Sequence, residues 1–135
     1  MDQMATLNDD TPMRDLANDI SLPHTTNGRR FRALDILGKD RELLQALADP
    51  QHAIGGITNK ALRRQLAGSP WAKGGTDKQL SARVSRHIRL LRDHGLIRKM
   101  PNQRKYLLTA QGQLLTTALN AILSSSTQQL INIAA

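Results

Sequence analysis

The sequence predicts a mainly α-helical chain with one small β-sheet, and three observations carry that expectation. Apolar residues recur at spacings of three and four in several stretches, the period of helices that bury one face. Thr, Pro and Gly stand at the borders of these stretches, where helices start and stop. Two short apolar runs, at residues 96–100 and 106–108, are separated by Pro101-Asn102, and that turn chemistry predicts one β-hairpin.

Residues 1–10 are polar and acidic and are expected to be disordered. Thr11-Pro12 reads as an N-cap followed by Pro at the first helical position, and Met13, Leu16, Ala17 and Ile20 follow at helical spacing, predicting a short amphipathic helix. It ends by Pro23, and residues 24–28 have linker composition. Residues 40–49 contain Leu43, Leu44, Ala46 and Leu47 and stop at Pro50, which predicts a second helix. The apolar run at residues 53–57, broken by Gly55-Gly56, suits a very short strand able to pair with the hairpin. Thr58 caps a helix over residues 59–67 with Ala61, Leu62 and Leu66 inward and Lys60, Arg63 and Arg64 outward; Gly68 ends it. Residues 69–75 form a connector longer than a strict helix-turn-helix uses, and Trp71 within it is expected to plug the core rather than stack on a ligand.

The most informative helix starts at Thr76. Thr76-x-x-Gln79 is a capping box that satisfies two orphaned backbone donors. Leu80, Val84, His87, Ile88 and Leu91 then fall on one stripe of a helix with about 3.6 residues per turn. The opposite face carries Lys78, Ala82, Ser85, Arg86 and Arg89, with Arg83 and Arg92 on the flanks and no acid before Asp93. Gly95 supplies a left-handed C-cap. In the hairpin that follows, Gln103-Arg104-Lys105 makes a basic tip. After it, Thr109 caps a helix through about Leu123 whose apolar positions Leu114, Leu115, Ala118, Leu119, Ile122 and Leu123 cover more than half its circumference. A helix that broad and uncharged calls for a second packing partner. Ser124-Ser125-Ser126 then weakens helix propensity before a last turn or frayed tail.

A chain of 135 residues fits one domain able to bury a core. It has no cysteine, which excludes disulfides and Cys-based zinc fingers and suits a reducing, cytoplasmic setting. No apolar run approaches the roughly 20 residues of a membrane span. Charge is strongly partitioned. Residues 1–28 hold one base and five acids, residues 29–105 eighteen bases and six acids, and residues 106–135 no charged side chain. Such a basic middle segment attracts polyanions and makes their binding salt-dependent. With one Phe, one Tyr and one Trp there is little to stack unpaired bases on, which favours duplex over single strands. No phosphate-binding Gly loop, His-x-x-x-His or nucleophile–base set is present, so neither an enzyme nor a cofactor is implied. His87 and His94 lie seven residues apart on the inward side of one helix, and with no Cys or nearby carboxylate to complete a site they read as core or cap residues rather than metal ligands.

Ser81-Ala82-Arg83-Val84-Ser85-Arg86, then Leu90-Leu91-Arg92-Asp93-His94-Gly95-Leu96-Ile97-Arg98, then Leu108-Thr109-Ala110-Gln111-Gly112 resemble the winged helix-turn-helix of MarR-type transcription regulators. The His-Gly-Leu-Ile-Arg exit and the Leu-Thr-x-x-Gly start of the next helix are its most specific parts, and the likeness covers about residues 40–123. Two departures stand out. The hairpin is shorter than the family's wing, and its tip reads Asn102-Gln103-Arg104 where the family places an Asp shortly before the wing Arg. Only Arg104 is carried over as a minor-groove candidate.

The expected organisation is an acidic segment with one short helix (1–28), a winged helix-turn-helix (29–108), and a C-terminal dimerisation helix and tail (109–135). The expected function is sequence-specific binding of double-stranded DNA by a homodimeric transcription regulator. Lys78, Ser81, Ser85, Arg86 and Arg89 face the major groove, Arg104 and Lys105 the backbone or minor groove, and Lys60 and Arg64 add cations from the preceding helix. Arg29, Arg30 and Arg32 read either as a DNA-contacting arm or as a surface cluster. The alternatives are an accessory protein for replication, partition or recombination of a mobile element, and a protein-interaction winged helix docking an acidic partner. No feature identifies a small-molecule effector.

Overall fold

The computed structural model describes residue 16, residues 24–26 and residues 29–134, with side chains for residues 16 and 30–125. Its first element corrects the expectation of a linker over residues 24–28. His24–Thr26 (β1) pairs antiparallel with Arg29–Phe31 (β2), Thr26 opposite Arg29. The signal was present in Asn27-Gly28, the dipeptide that two-residue hairpin connections favour. The acidic residues 1–10 and the helix expected over residues 13–20 lie outside the described residues, apart from Leu16, which is helical and buried.

Five helices follow among the described residues. Helix α1 (Arg41–Leu47) buries Leu43, Leu44, Ala46 and Leu47, the four apolar positions of its pattern. Helix α2 (Pro50–Gly55) occupies most of the run that reads as a strand. Asp49 accepts a hydrogen bond from the Gln51 N–H at 3.0 Å, and Pro50 begins the helix where its missing N–H has no partner to lose. Only Ile57 keeps extended pairing, donating to the Tyr106 carbonyl at 2.7 Å and accepting from the Tyr106 N–H at 2.9 Å. A strong Asp-Pro helix start thus outweighs a short apolar run broken by two glycines.

Helix α3 (Asn59–Leu66) starts as expected, with the Thr58 hydroxyl accepting from the Ala61 N–H at 3.0 Å. A 3-10 turn over Pro70–Ala72 then drives Trp71 into the core, 3% exposed. Helix α4 (Asp77–Asp93) has both arms of its capping box, at 3.2 and 2.9 Å. It ends in a Schellman motif, Leu96 N–H to the Leu91 carbonyl at 3.0 Å and Gly95 N–H to Arg92 at 2.9 Å, with Gly95 at φ 75°, a backbone region costly for any other L-residue.

Strands β3 (Ile97–Lys99) and β4 (Tyr106–Leu108) form the expected hairpin, Ile97 opposite Leu108. Thr109 then links sheet to helix: its hydroxyl donates to the Gly95 carbonyl at 2.6 Å and accepts from Gly112 N–H at 3.1 Å. A Cβ at position 112 would collide with the Leu96 carbonyl and the Leu108 side chain, which explains the glycine of the Leu-Thr-x-x-Gly run. Helix α5 (Ala110–Ala134) continues well past Leu123, because a serine costs a helix only about 0.5 kcal/mol relative to alanine.

Leu43, Leu44 and Leu47 of α1, Leu62 of α3, Val84 and Leu91 of α4, and Leu115 and Leu119 of α5 form one closed cluster. Each such side chain contributes about 1.5–3 kcal/mol by leaving water. Apolar burial therefore sets the orientation of α4 and leaves its charged face to other work. No helix among the described residues is long and apolar enough to cross a membrane.

Candidate nucleic-acid interface

Helix α4 is two-faced. Leu80, Val84, His87, Ile88, Leu90 and Leu91 are buried, whereas Lys78, Ala82, Ser85, Arg86, Arg89 and Arg92 are exposed. Among the described residues, Lys78, Arg86 and Arg89 make no salt bridge. A row of guanidinium and ammonium groups with no carboxylate partner is a surface whose counter-charge comes from outside the chain.

The two serines differ. Asn59, at the start of α3, donates to the Ser81 carbonyl at 2.9 Å and to the Ser85 hydroxyl at 2.8 Å, while the Ser81 hydroxyl donates back to Asn59 Oδ1 at 3.3 Å. Ser81, expected among the major-groove residues, is half-buried, and its hydroxyl fastens α3 to α4. Ser85 stays exposed with its donor free. The same contact carries Lys60 and Arg64, both exposed, to the N-terminal turn of α4, where they share a cleft with Asp77. Arg63, expected outward, is half-buried and donates to Asp77 at 2.9 Å.

Arg104 and Lys105 are exposed on the β3–β4 tip, with Asn102 in a left-handed turn conformation. The aliphatic stem of Lys105 lies over Gly56. No hydrogen bond or ion pair joins either residue to α4 among the described residues. The fold therefore offers cations on three separate elements, α3, α4 and the tip, rather than one fused cluster.

Behind α4 lies a polar network that local sequence does not reveal. Asp40, fully buried, accepts both guanidinium nitrogens of Arg32 at 2.9 Å and the Asp35 N–H at 2.8 Å. Its Oδ1, which accepts from Arg32 Nη2, also stands 3.9 Å from His87 Nε2, which corrects the expectation that no carboxylate lies near the helix histidines. Burial pushes the Asp40 carboxyl up, but the Arg32 guanidinium and the Asp35 N–H together outweigh it and hold the carboxyl below its ordinary value. His87 Nδ1 donates to the Arg83 carbonyl at 2.7 Å, leaving Nε2 to accept from Arg32 at 3.2 Å. That pairing requires neutral imidazole, and burial first, then Arg83 and Arg32, lowers its pKa. Arg83 is also drawn inward: it donates to the Trp71 carbonyl at 3.0 Å and lies 4.4 Å over the indole. Among the described residues no group of three or more His, Cys, Asp or Glu is placed to hold a metal ion.

A separate concavity of about 510 Å³ opens between α2, the β3–β4 hairpin and α5, with His52, Arg98 and Thr116 in its wall and no residue from α4. Comparison of the chain with protein-family models, with curated proteins and with solved structures gives no match.

Proposed function

We propose that this protein is a sequence-specific duplex-DNA-binding protein, a winged helix-turn-helix acting as a homodimeric transcription regulator. The observation that carries the reading is the division of α4: one face locked by apolar packing, the other presenting Lys78, Ser85, Arg86 and Arg89 without a carboxylate partner. In this reading α4 is the recognition helix, small Ala82 lets it sit close to base edges, and the β3–β4 tip is a wing whose Arg104 and Lys105 hold phosphate or minor groove. Arg86 and Arg89 lie about one turn apart, and at least one of them makes the bidentate contact that guanine O6 and N7 accept.

Binding isotherms for Arg86→Ala, Arg89→Ala and Arg104→Ala, on preferred and scrambled duplex at several salt concentrations, test the assignment. At least one helix variant loses about 1–3 kcal/mol on the preferred site and little on scrambled DNA. Arg104→Ala weakens both alike and lowers the salt slope by about one. Helix variants indifferent to sequence, with the tip alone setting specificity, would sink the recognition-helix assignment.

The dimer is assigned to α5. Leu115 and Leu119 are spent on the core, while Leu114 and Ile122 remain 38% and 50% exposed on an uncharged helix, leaving a second apolar stripe for another copy. Light scattering is expected to show a dimer at tens of micromolar and a monomer for Ile122→Glu. A monomeric wild type at that concentration removes the dimer from the proposal.

A further inference from the structure

We infer that the N-terminal hairpin is a second DNA-contacting arm, and that Arg30 and Arg89 together seat one backbone phosphate at the edge of the α4 surface, with Arg86 beside them left to the base edges. The inference rests on the proposed duplex-binding role of α4 and adds to it an element outside the helix-turn-helix and wing. Strand β2 is stapled to the second half of α4 at successive residues. Phe31 is buried, its ring edge-on to His94 at 4.8 Å. The next residue, Arg32, accepts on its carbonyl from His94 Nε2–H at 2.8 Å and is committed through its side chain to Asp40 and His87. Alternation along an extended strand then turns Arg30 away from Phe31, and Arg30 is exposed.

The result is a cleft of about 360 Å³ shared by Arg30, Arg86 and Arg89, with Arg32 also lining it and Asp93 as the one acid in its wall among the described residues. Arg32 is neutralised by Asp40, so among the described residues three guanidinium groups share the cleft with one carboxylate. Planar guanidinium forks match the oxygens of a phosphodiester, and several around one cleft hold it better than point charges. The cleft flanks the C-terminal half of α4, where the helix dipole disfavours an anion. Arginine side chains must therefore supply the attraction themselves, and removal of one is felt. A duplex laid along the exposed face of α4 brings its sugar-phosphate strand, not its base edges, to this margin.

The experiment is a salt titration of duplex binding by full-length wild type, Arg30→Ala and Arg30→Lys, on preferred and scrambled sites. Arg30→Ala is expected to lower the salt slope by about one and to weaken both duplexes about five- to tenfold at 0.1 M salt, leaving their affinity ratio unchanged. Arg30→Lys restores the slope. A thermal midpoint unchanged from wild type shows that Phe31 and Arg32 still dock the hairpin. A wild-type slope and affinity in Arg30→Ala overturns the arm while leaving the α4 reading intact. A wild type that ignores duplex at low salt overturns both. A set of duplexes each carrying one neutral methylphosphonate adds a second measure: one position weakens the wild type and not Arg30→Ala, and the absence of any such position rejects the phosphate seat.

Discussion

Arg83 and Arg86 stand three residues apart on α4 and carry the same charge, yet the fold gives them opposite occupations. Arg83 is bonded to the Trp71 carbonyl and stacked on its ring; Arg86 is exposed and makes no salt bridge among the described residues. Arg32 and Arg30 repeat the contrast two residues apart, the first bidentate on buried Asp40, the second in the open cleft. In each pair one guanidinium is structural and the other is left for an outside anion. Net charge alone therefore overstates the surface available to an outside anion, since part of it is consumed in holding α4 in place.

A stability series breaks or sharpens this contrast. Asp40→Ala is expected to cost the most, about 2–4 kcal/mol, because it strands Arg32 and His87 beside an empty site. The figure sits toward the lower part of the range for buried pairs because Arg32 remains 38% exposed and regains water. Arg83→Ala follows at about 1–2 kcal/mol, losing one hydrogen bond, the cation–π contact and the packing of its stem. Arg86→Ala should stay within about 0.5 kcal/mol. Chemical denaturation of the three variants reads these values, and an Arg86→Ala as damaging as Arg83→Ala would end the distinction between spent and free arginines.

The smallest effect is a pH dependence from His87. Its folded pKa lies below the ordinary 6.5 because burial disfavours the imidazolium, with the Arg83 and Arg32 charges adding repulsion, the bond to the Arg83 carbonyl and then Asp40 opposing them. The unfolded chain thus takes up this proton first as pH falls, so the contribution is complete above about 6.5 and is lost on acidification. Unfolding free energy measured between pH 7.5 and 5.5 should decline more steeply for wild type than for His87→Gln. Equal slopes would show that His87 binds its proton equally in the folded and unfolded chain. Asp40 stays ionised throughout that window, since its own depression lies below the usual carboxylate range.

Much of the α4 region was legible from local chemistry. The Thr76 capping box, the stripe from Leu80 to Leu91, the Gly95 terminator and the basic outer face are all within-helix patterns, and each is present. Two elements differ from the local reading: Asn-Gly is a dipeptide that hairpin connections favour over a linker, and Asp49-Pro50 is a helix start that the apolar run after it does not override. Ser81 is a different case. Its position on the wheel lies between faces, and Asn59 on a different helix decides which face claims its hydroxyl.

By itself, then, the sequence determined where α1, α3, α4 and the β3–β4 hairpin lie and which side of α4 is charged, because caps, turns and helical period are encoded within a few residues. It also determined that the basic middle is flanked by an acidic start and an uncharged end. Only the tertiary structure decided which arginines remain available. Arg32 meets Asp40 eight residues away and His87 fifty-five residues away, and the hairpin that holds Arg30 beside Arg86 and Arg89 is docked through His94, more than sixty residues along the chain. Pairing of charges across such separations follows from the packing of the apolar core, and no window of local sequence contains it.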